Sequence, residues 1–397
     1  MTDALPQGFQ FAGVYAGVKQ DPHKKDVALI VSDRPAVAAG VFTQNLVCAA
    51  PVKLCRQRVP GDNVRAVVVN SGNANACTGD QGDRDAEAMA AAVADACGLD
   101  ASQALVMSTG VIGRIMPMDK IGPGIAAAAE VLGATADHLD AAARGMMTTD
   151  THPKTCSRQV ELEGRTVTVT GMAKGAAMIG PNLATMLAVV TTDAALAPAD
   201  AQALLKDAAD ESFNCISVEG HTSTNDTVLL LANGAAGGPP LTGSDLAKFQ
   251  ATLVEVCEEL AVMIPSDGEG ATHLITVEVH GCRTRADAVK IARTVADSPL
   301  VKTAVSGHDP NWGRIVSAAG YAGVPFDPLK VSLLMNSSLL YEHGVPVEFD
   351  EATISAGMKA DRNCHLVLIL EEGDQSARFW TSDLTAEYVR LNADYTT

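Results

Sequence analysis

The residues of this chain best suited to chemistry lie where a turn runs into an apolar strand. Residues 174–190 read LysGlyAlaAlaMetIleGlyProAsnLeuAlaThrMetLeuAlaValVal, which places Thr185 at the start of the apolar run. If the chain is cut there, Oγ of Thr185 attacks the carbonyl of Ala184 and the residue becomes an N-terminal nucleophile. Its new α-amino group, with a pKa near ~7.7–8, can then act as general base for the hydroxyl. Taken alone, a threonine here is more often an ordinary β-branched strand residue.

Two further segments carry polar groups beside predicted strands. Thr109 and Gly110 follow an apolar run and could offer a hydroxyl and a backbone N–H to a developing oxyanion. Glu269 lies in SerAspGlyGluGlyAlaThr (266–272), a polar turn after a long predicted helix, and could face a pocket. Each segment also fits an ordinary turn, and His308 is favoured as a turn residue over a site residue on the same grounds.

The composition argues against several classes of function. With 397 residues, 47% hydrophobic and 19% charged, the chain is expected to be globular with two or three core-forming units. A net charge of −18 disfavours nucleic acid and anionic membranes as partners. The nine cysteines form no CxxC pair, and with neither a signal peptide nor a long apolar run they predict reduced thiols in the cytoplasm. Phosphate-loop, dinucleotide, HExxH and GxSxG motifs are absent from the sequence.

The rest of the sequence predicts the elements that position these residues. Short apolar runs punctuated by Pro and Gly predict strands over residues 28–56 and 64–70. Helical periodicity predicts helices at 83–97, 119–132, 137–147, 198–211, 244–264 and 284–296. Further strands are predicted at 104–108, 158–170, 186–192, 227–232, 274–280, 330–335 and 365–371. Because strand often follows strand, the order favours α+β or a layered α/β architecture over a regular βαβ wind.

A domain boundary is predicted near Gly281, after the strand that ends at His280. The first unit, residues 1–281, would be a catalytic α/β unit that contains the cleavage site. The second, residues 282–397, would be a smaller C-terminal α/β domain.

A series of motifs resembles the ornithine acetyltransferase (glutamate N-acetyltransferase) family of arginine biosynthesis. The matching stretches are GlyPheGlnPheAlaGlyValTyrAlaGlyValLys (8–19), GlyValPheThrGlnAsn (40–45), AsnSerGlyAsnAlaAsnAlaCysThrGly (70–79), SerThrGlyValIleGly (108–113), ThrThrAspThr (148–151), the LysGly…AlaThrMetLeu block (174–187), ThrSerThrAsnAspThr (222–227), AspGlyGluGlyAlaThr (267–272), AspProAsnTrpGlyArg (309–314) and LeuAsnAlaAspTyrThrThr (391–397). The resemblance covers essentially the whole chain, and it is specific because so many motifs match in order.

The resemblance implies a layered α/β sandwich that cleaves itself between Ala184 and Thr185. The products would be an α chain (1–184) and a β chain (185–397), assembled as two of each. It further implies Thr185 as nucleophile, with Thr109 and Gly110 as the oxyanion hole. The substrate-binding residues that it implies are Thr151, Lys174, Thr185, Glu269, Asn392 and Thr397.

The implied reaction moves the acetyl group of N2-acetyl-L-ornithine to L-glutamate by a ping-pong route through acetyl-Thr185, without a cofactor. Acetyl-CoA stays open as a second donor, which would make the enzyme bifunctional. Lys174 can pair with the α-carboxylate that both substrates carry. Ornithine's side-chain ammonium needs an acidic partner, and Glu269 and the C-terminal carboxylate of Thr397 are both candidates. An N-terminal-nucleophile aminopeptidase of related fold and an uncleaved amino-acid-binding protein are the alternatives.

The sequence departs from the family pattern next to these motifs. Ala176 and Ala177 replace a Ser and a Gly, and Leu183 replaces a Met. Glu219 and His221 stand where the family usually has Asp. These changes bear on substrate specificity and leave the implied catalytic groups in place.

Overall fold

The computed structural model of the protein describes residues 4–162, 164–180 and 186–394. Its strands in chain order are β1 (Phe9–Val14), β2 (Val27–Phe42), β3 (Gly61–Asn73), β4 (Ala104–Val111), β5 (Lys154–Leu162), β6 (Arg165–Lys174), β7 (Leu187–Thr192), β8 (Ile216–Ser217), β9 (Thr227–Ala232), β10 (Leu274–Cys282), β11 (Ser332–Met335), β12 (Ser338–Glu342), β13 (Val345–Pro346), β14 (Asn363–Ile369) and β15 (Gln375–Ser382). Its helices are α1 (Ala50–Arg58), α2 (Gly79–Cys97), α3 (Met118–Glu130), α4 (Ala136–Met146), α5 (Pro198–Glu211), α6 (Gly243–Ser266), α7 (Arg285–Ala296), α8 (Pro299–Ser306), α9 (Trp312–Gly320), α10 (Glu351–Ala360) and α11 (Ala386–Asp394).

The first sheet has the strand order β4-β3-β2-β9-β7-β6-β5, and β1 pairs with β2. Strands β9 and β7, which follow residue 186, therefore lie between β2 and β6, which precede residue 175. Strand β7 is buried on both faces, with Leu187 and Val189 in one core and Ala188 and Val190 in the other. This accounts for its continuous apolar sequence, since successive side chains in a strand point to opposite faces.

The second sheet has the strand order β13-β12-β11-β14-β10-β15-β8. In its strand β10, Ile275, Val277 and Val279 are fully buried and belong to the core that also contains α6 and α7 side chains. Glu278 and His280 alternate with them on the opposite face. This alternation is typical of a sheet packed on one side.

The two sheets form layers with helices between and around them. Helices α2, α3 and α4 contribute to the core on one face of the first sheet, and α5 and α6 pack on its other face. Helix α6 also contacts β15 and β8 of the second sheet, so a single core joins the layers. The predicted layered α/β sandwich is confirmed. Within the described ranges, no helix is both long and apolar enough to cross a membrane.

The prediction of strands over residues 28–56 is wrong at its C-terminal end, where the chain forms helix α1. Pro51, which interrupts the predicted strands, lies in the first turn of that helix. Proline is tolerated there because the N–H it lacks has no partner within the helix. Val52, Leu54 and Cys55 then form the buried face of α1.

The residues around Gly281 belong to a continuous strand. β10 pairs in parallel with β14 and antiparallel with β15, with a register shift between Val279 and Cys282. The domain division between residues 281 and 282 stays a prediction.

Candidate active site

The ends of β4 and β6 border a cavity of about 220 Å³. Pockets that hold drug-sized ligands usually enclose ~300–1,000 Å³, so this one suits a smaller molecule such as a single amino acid. Its described lining comprises Ala74, Thr109, Gly110, Ile112, Thr148, Thr149, Lys174, Ala177, Met178, Glu219, His221, Ser223, Thr224, Asn225, Glu269, Tyr388 and Asn392. The lining thus combines one buried cation with carboxylates and several hydroxyls.

Thr109 and Gly110 lie near the end of β4, beside the parallel strand β3. Gly110 has φ 133°. A β-carbon at Gly110 would stand 2.3 Å from the carbonyl carbon of Gly72, so no larger residue fits without displacement of the backbone. The strand end is also tied to the loop before β9, because the Asn225 side chain donates to the carbonyl of Ser108 at 2.8 Å. Thr109 and Gly110, the oxyanion donors that the sequence suggests, are therefore held in place by pairing with β3 and by the hydrogen bond from Asn225.

Lys174 is the last residue of β6 and is almost fully buried. Its Nζ donates to Oγ1 of Thr109 at 3.4 Å, which connects the two strand ends across the cavity. Because this bond occupies an acceptor site of the Thr109 oxygen, the hydroxyl hydrogen of Thr109 is free to donate elsewhere. Burial lowers the pKa of the Lys174 ammonium, against the opposing effect of the nearby Asp150 carboxylate.

A buried ion triad lies beneath this wall of the cavity. Lys154, with no exposed surface, donates to Asp150 at 2.7 Å and to Asp267 at 2.6 Å. Asp150 in turn accepts from the backbone N–H of Gly175 at 2.7 Å. Burial acts to raise the pKa of Asp150, but the Lys174 and Lys154 ammonium groups hold it well below its usual range. An ionised Asp150 thus fixes the turn directly after Lys174.

Glu269 and Asn392 meet at the other side of the cavity, where α11 packs on the turn that follows α6. Oγ1 of Thr385 donates to the carbonyl of Gly270 at 2.7 Å and accepts from the N–H of Tyr388 at 3.2 Å, which anchors the first turn of α11. Tyr388 and Asn392 are four residues apart and share one helix face. The Asn392 amide donates to Glu269 at 2.9 Å.

The segment 219–226, between β8 and β9, contributes lining residues that the sequence-based site omits. Glu219 and His221 both border the cavity, as does Asn225. Asn225 lies in the motif ThrSerThrAsnAspThr (222–227), and Glu219 and His221 directly precede it, but nothing in these residue types distinguishes a wall of a cavity from a polar loop.

The structure brings Thr109, Gly110, Lys174, Glu269 and Asn392 together around one cavity. Thr151 is not among the described lining residues. It is exposed, and its N–H donates to Asp267 at 3.0 Å.

Ala184, Thr185 and Thr397 lie outside the described residues. Directly after Thr185 in sequence, the N–H of Met186 donates to Asp226 at 3.2 Å, and Leu187 pairs with Lys174 in the sheet. Burial raises the pKa of Asp226 well above its usual range. Leu187 therefore lies beside Lys174, which lines the cavity.

His308 lies away from the described lining of the cavity, with its ring centroid 5.2 Å from that of His273. Among residues 4–162, 164–180 and 186–394, no three His, Cys, Asp or Glu side chains are grouped to hold a metal ion.

A strand-end hydroxyl and N–H, a buried lysine and two carboxylates surround a small cavity in a layered α/β sandwich, and this arrangement is typical of an enzyme. The sequence comparisons give the family. The chain belongs to the ArgJ family, whose pattern matches residues 10–397. It is therefore an enzyme of arginine biosynthesis, as expected for the acetyltransferase family that its motifs resemble.

Relatives of similar length are found in distant bacteria. The arginine biosynthesis bifunctional protein ArgJ of Rhodopirellula baltica is 48% identical over 396 residues, which cover 99% of this chain and 96% of that protein. The protein of the same name from Symbiobacterium thermophilum is 48% identical over 395 residues, with 99% and 98% covered. A crystal structure of the Bacillus halodurans protein of that name is 39% identical with a TM-score of 0.51, and the match covers 52% of this chain and 98% of that one.

Proposed function

We propose that the enzyme transfers an acetyl group from N2-acetyl-L-ornithine to L-glutamate through an acetyl ester on Thr185. The observation that carries this proposal is the convergence on one small cavity of three segments that are far apart in sequence, which contribute Thr109 with Gly110, Lys174 and Asn392. Each supplies a group that acetyl transfer between amino acids requires: oxyanion donors, a cation for a carboxylate, and a polar side chain for substrate positioning.

The nucleophile is produced by cleavage between Ala184 and Thr185. Oγ of Thr185 attacks the carbonyl carbon of Ala184, the peptide C–N bond breaks, and water hydrolyses the resulting ester. Two observations support this step. Met186 follows Thr185 in sequence and adjoins Leu187, which pairs with the cavity residue Lys174 in the sheet. The solved Bacillus halodurans chain is covered almost completely by about half of this one, as expected for one of two cleavage products.

In the first half-reaction, Oγ of Thr185 attacks the acetyl carbonyl of the donor, and the α-amine of Thr185 accepts the hydroxyl proton. The Thr109 hydroxyl and the Gly110 N–H donate to the oxyanion of the tetrahedral intermediate. When the C–N bond breaks, the proton passes to the leaving amine of ornithine. Lys174 pairs with the α-carboxylate of the donor and orients the Thr109 hydroxyl.

In the second half-reaction, the neutral α-amine of glutamate attacks the acetyl ester, and the Thr185 hydroxyl is regenerated. The α-carboxylate of glutamate takes the position next to Lys174 that the donor's carboxylate has left. No cofactor takes part in either step, and acetyl-CoA would serve only as another acetyl donor to Thr185. We further propose that two α and two β chains assemble in the cytoplasm.

Intact-mass spectrometry of the purified protein tests the proposal. We expect two chains, 1–184 and 185–397, and, after incubation with N-acetylornithine, one added acetyl group on the second chain only. Addition of glutamate should remove this group and yield N-acetylglutamate. The Thr185→Ala variant is the matched control, and it should remain a single unacetylated chain.

Two results would contradict the proposal. A single uncleaved wild-type chain would favour an amino-acid-binding protein without catalysis. Loss of the acetyl group to water at the same rate with and without glutamate would favour the hydrolytic, aminopeptidase-like alternative.

A further inference from the structure

Glu219 is a carboxyl group that the proposed mechanism does not use. It lines the cavity at the segment between β8 and β9. Both of its carboxylate oxygens are buried, and neither forms a hydrogen bond to any residue in the described part of the chain. Burial of a polar group without a partner costs free energy, so such a group in a cavity wall indicates that a ligand supplies the partner.

The surroundings of Glu219 differ from those of Lys174. The titratable groups around its segment are His221, Glu269 on the turn after α6, Lys302 on α8, Tyr388 on α11 and, next to Gly220, Asp297 at the end of α7. The strongest charges acting on Lys174 are instead those of Asp150 and Lys154. The lining therefore contains the Lys174 cation and, at Glu219, a buried carboxyl group with a different set of charged neighbours.

Burial raises the pKa of Glu219 to about 7, although the Lys302 ammonium and backbone amides around Ile179 favour the charged form. These amides are those of Met178, Ile179 and His221, and none of them forms a hydrogen bond with the carboxylate. Burial, together with the carboxylates of Glu219 and Glu269, also raises the pKa of Tyr388 to about 12, so its phenol stays neutral. Near neutral pH, Glu219 can thus accept a hydrogen bond as a carboxylate or donate one as an acid.

This inference rests on the proposed function, in which one cavity must bind two side chains of opposite charge. With the α-carboxylates of both substrates held by Lys174, the two side chains extend to the same place. The donor presents an ammonium group there and the acceptor presents a carboxylate. A permanently charged partner would attract one and repel the other.

We propose that Glu219 determines specificity for both substrates by changing its protonation state between the half-reactions. As a carboxylate it pairs with the side-chain ammonium of N-acetylornithine. After ornithine leaves, Glu219 takes up one proton from solvent, and the acid donates its O–H to the side-chain carboxylate of glutamate. The proton returns to solvent when N-acetylglutamate leaves, so no net proton is consumed by this group in a full cycle.

The test uses pairs of substrates that differ only in side-chain charge. In a ping-pong reaction, kcat/KM for each substrate reports its own half-reaction. For the wild type, the ratio of kcat/KM for N-acetylornithine to that for N-acetylnorvaline should rise about tenfold from about pH 6 to about pH 8, because a group with a pKa of about 7 ionises across that range. The ratio for glutamate to glutamine should fall about tenfold. Titration of the Thr185 amine and of the substrate α-amines cancels in each ratio.

Variants assign the effect to this residue. Glu219→Gln, which cannot ionise, should make both ratios independent of pH and lower the N-acetylornithine ratio about tenfold at about pH 8. In Glu219→Asp, which can still ionise, the N-acetylornithine ratio should still rise with pH and the glutamate ratio should still fall. Glu255→Gln, on the exposed side of α6, should match the wild type.

The possible failures can be distinguished. Acetyl transfer by the wild type with ratios that do not change with pH would overturn this inference and leave the proposed function standing, and this result needs no variant to fold. Opposite pH trends that persist in Glu219→Gln would assign the proton to another group and overturn it as well. Absence of acetyl transfer in the wild type would instead refute the proposed function itself.

Discussion

We propose two roles for Lys174, one through its hydrogen bond to Thr109 and one through its charge. By donating to the Thr109 oxygen, Lys174 leaves the hydroxyl hydrogen free to point into the cavity. The same ammonium is the buried cation in the lining that a substrate carboxylate can meet. The side chains that we propose to stabilise the oxyanion and to bind the substrate are thus hydrogen-bonded to each other, and variants of each separate the two proposed roles.

Replacement of Thr109 by valine should lower kcat by a factor of ~10²–10³, the usual cost of losing one oxyanion donor. KM should change little, because valine keeps the size of the side chain and removes only the hydroxyl. Steady-state kinetics with N-acetylornithine and glutamate measure both quantities. Thr109→Ser keeps the hydroxyl and should retain most of the activity. A kcat within a few-fold of wild type in Thr109→Val would remove Thr109 from the oxyanion hole.

The Lys174→Met variant should raise KM for both substrates in parallel. A charged hydrogen bond contributes ~1.5–3 kcal/mol, so an increase on the order of tenfold to a hundredfold is expected for each. Lys206→Met is the matched control, because Lys206 is exposed on α5 and pairs with Asp210 far from the lining. If KM stays at the wild-type value for both substrates, Lys174 does not bind their carboxylates.

At the scale of elements, the buried triad around Lys154 connects three segments of the site. Asp150 accepts from the amides of Thr148 and Gly175, and Asp267 accepts from that of Thr151. Because Lys154 forms ion pairs with both carboxylates, its loss removes the charged partner that these two buried groups share.

We expect Lys154→Met to lower the free energy of unfolding by ~3–5 kcal/mol, the range found when one partner of a buried ion pair is removed. Lys206→Met, which breaks an exposed pair, should leave the free energy of unfolding nearly unchanged. Chemical denaturation of both variants measures the difference. The pKa of Asp150 is lower in the folded protein than in the unfolded chain. Its contribution to the free energy of unfolding is therefore fully present above about pH 3.9, the ordinary pKa of Asp, and is lost as the pH falls through the folded pKa. Equal stability of the two variants would show that the triad does not brace the site.

The sequence predicts elements well where one periodicity dominates. β9 is predicted at its observed bounds because its apolar run, ThrValLeuLeuLeuAla, is buried on both faces. Helix α1 is missed because Pro51 looks the same between two strands as it does in the first turn of a helix. Helix α11 is missed because it has no fully buried residue, so no apolar stripe marks it.

The site is predictable to the extent that its residues lie in recognisable motifs. Thr109, Lys174 and Glu269 are found in this way. The triad of Lys154, Asp150 and Asp267 is not, since a lysine in a strand normally indicates an exposed face. The fold brings both carboxylates to Lys154, and Asp267 is 113 residues away from that lysine in sequence.

For the whole molecule, the first sheet is assembled from both sides of the proposed cleavage point. β9 pairs with β2 over residues 227–232, and β7 pairs with β6 over residues 187–192. The proposed cleavage point lies outside both of these ladders, so cleavage there would leave them in place.

The two cleavage products should therefore stay together in native buffer and separate only when the protein is unfolded. Size-exclusion chromatography should give one species that contains both chains, and a denaturing gel of that species should show two bands. The uncleaved Thr185→Ala variant should elute at the same native volume. Separate native elution of the two chains would show that these ladders do not hold the fragments.

After the proposed cleavage, the interleaved strands would also make folding a one-time event for each molecule. In the precursor, β7 reaches its place between β6 and β9 along a continuous chain, so the sheet closes as an intramolecular loop with a modest entropy cost. After the cut, an unfolded molecule becomes two chains that must find each other again, and recovery depends on their concentration. A dilute cut enzyme that unfolds is then lost rather than repaired. Replacing it requires synthesis of a new precursor, so the cell's control over folding quality must act before the bond at residue 184 is broken.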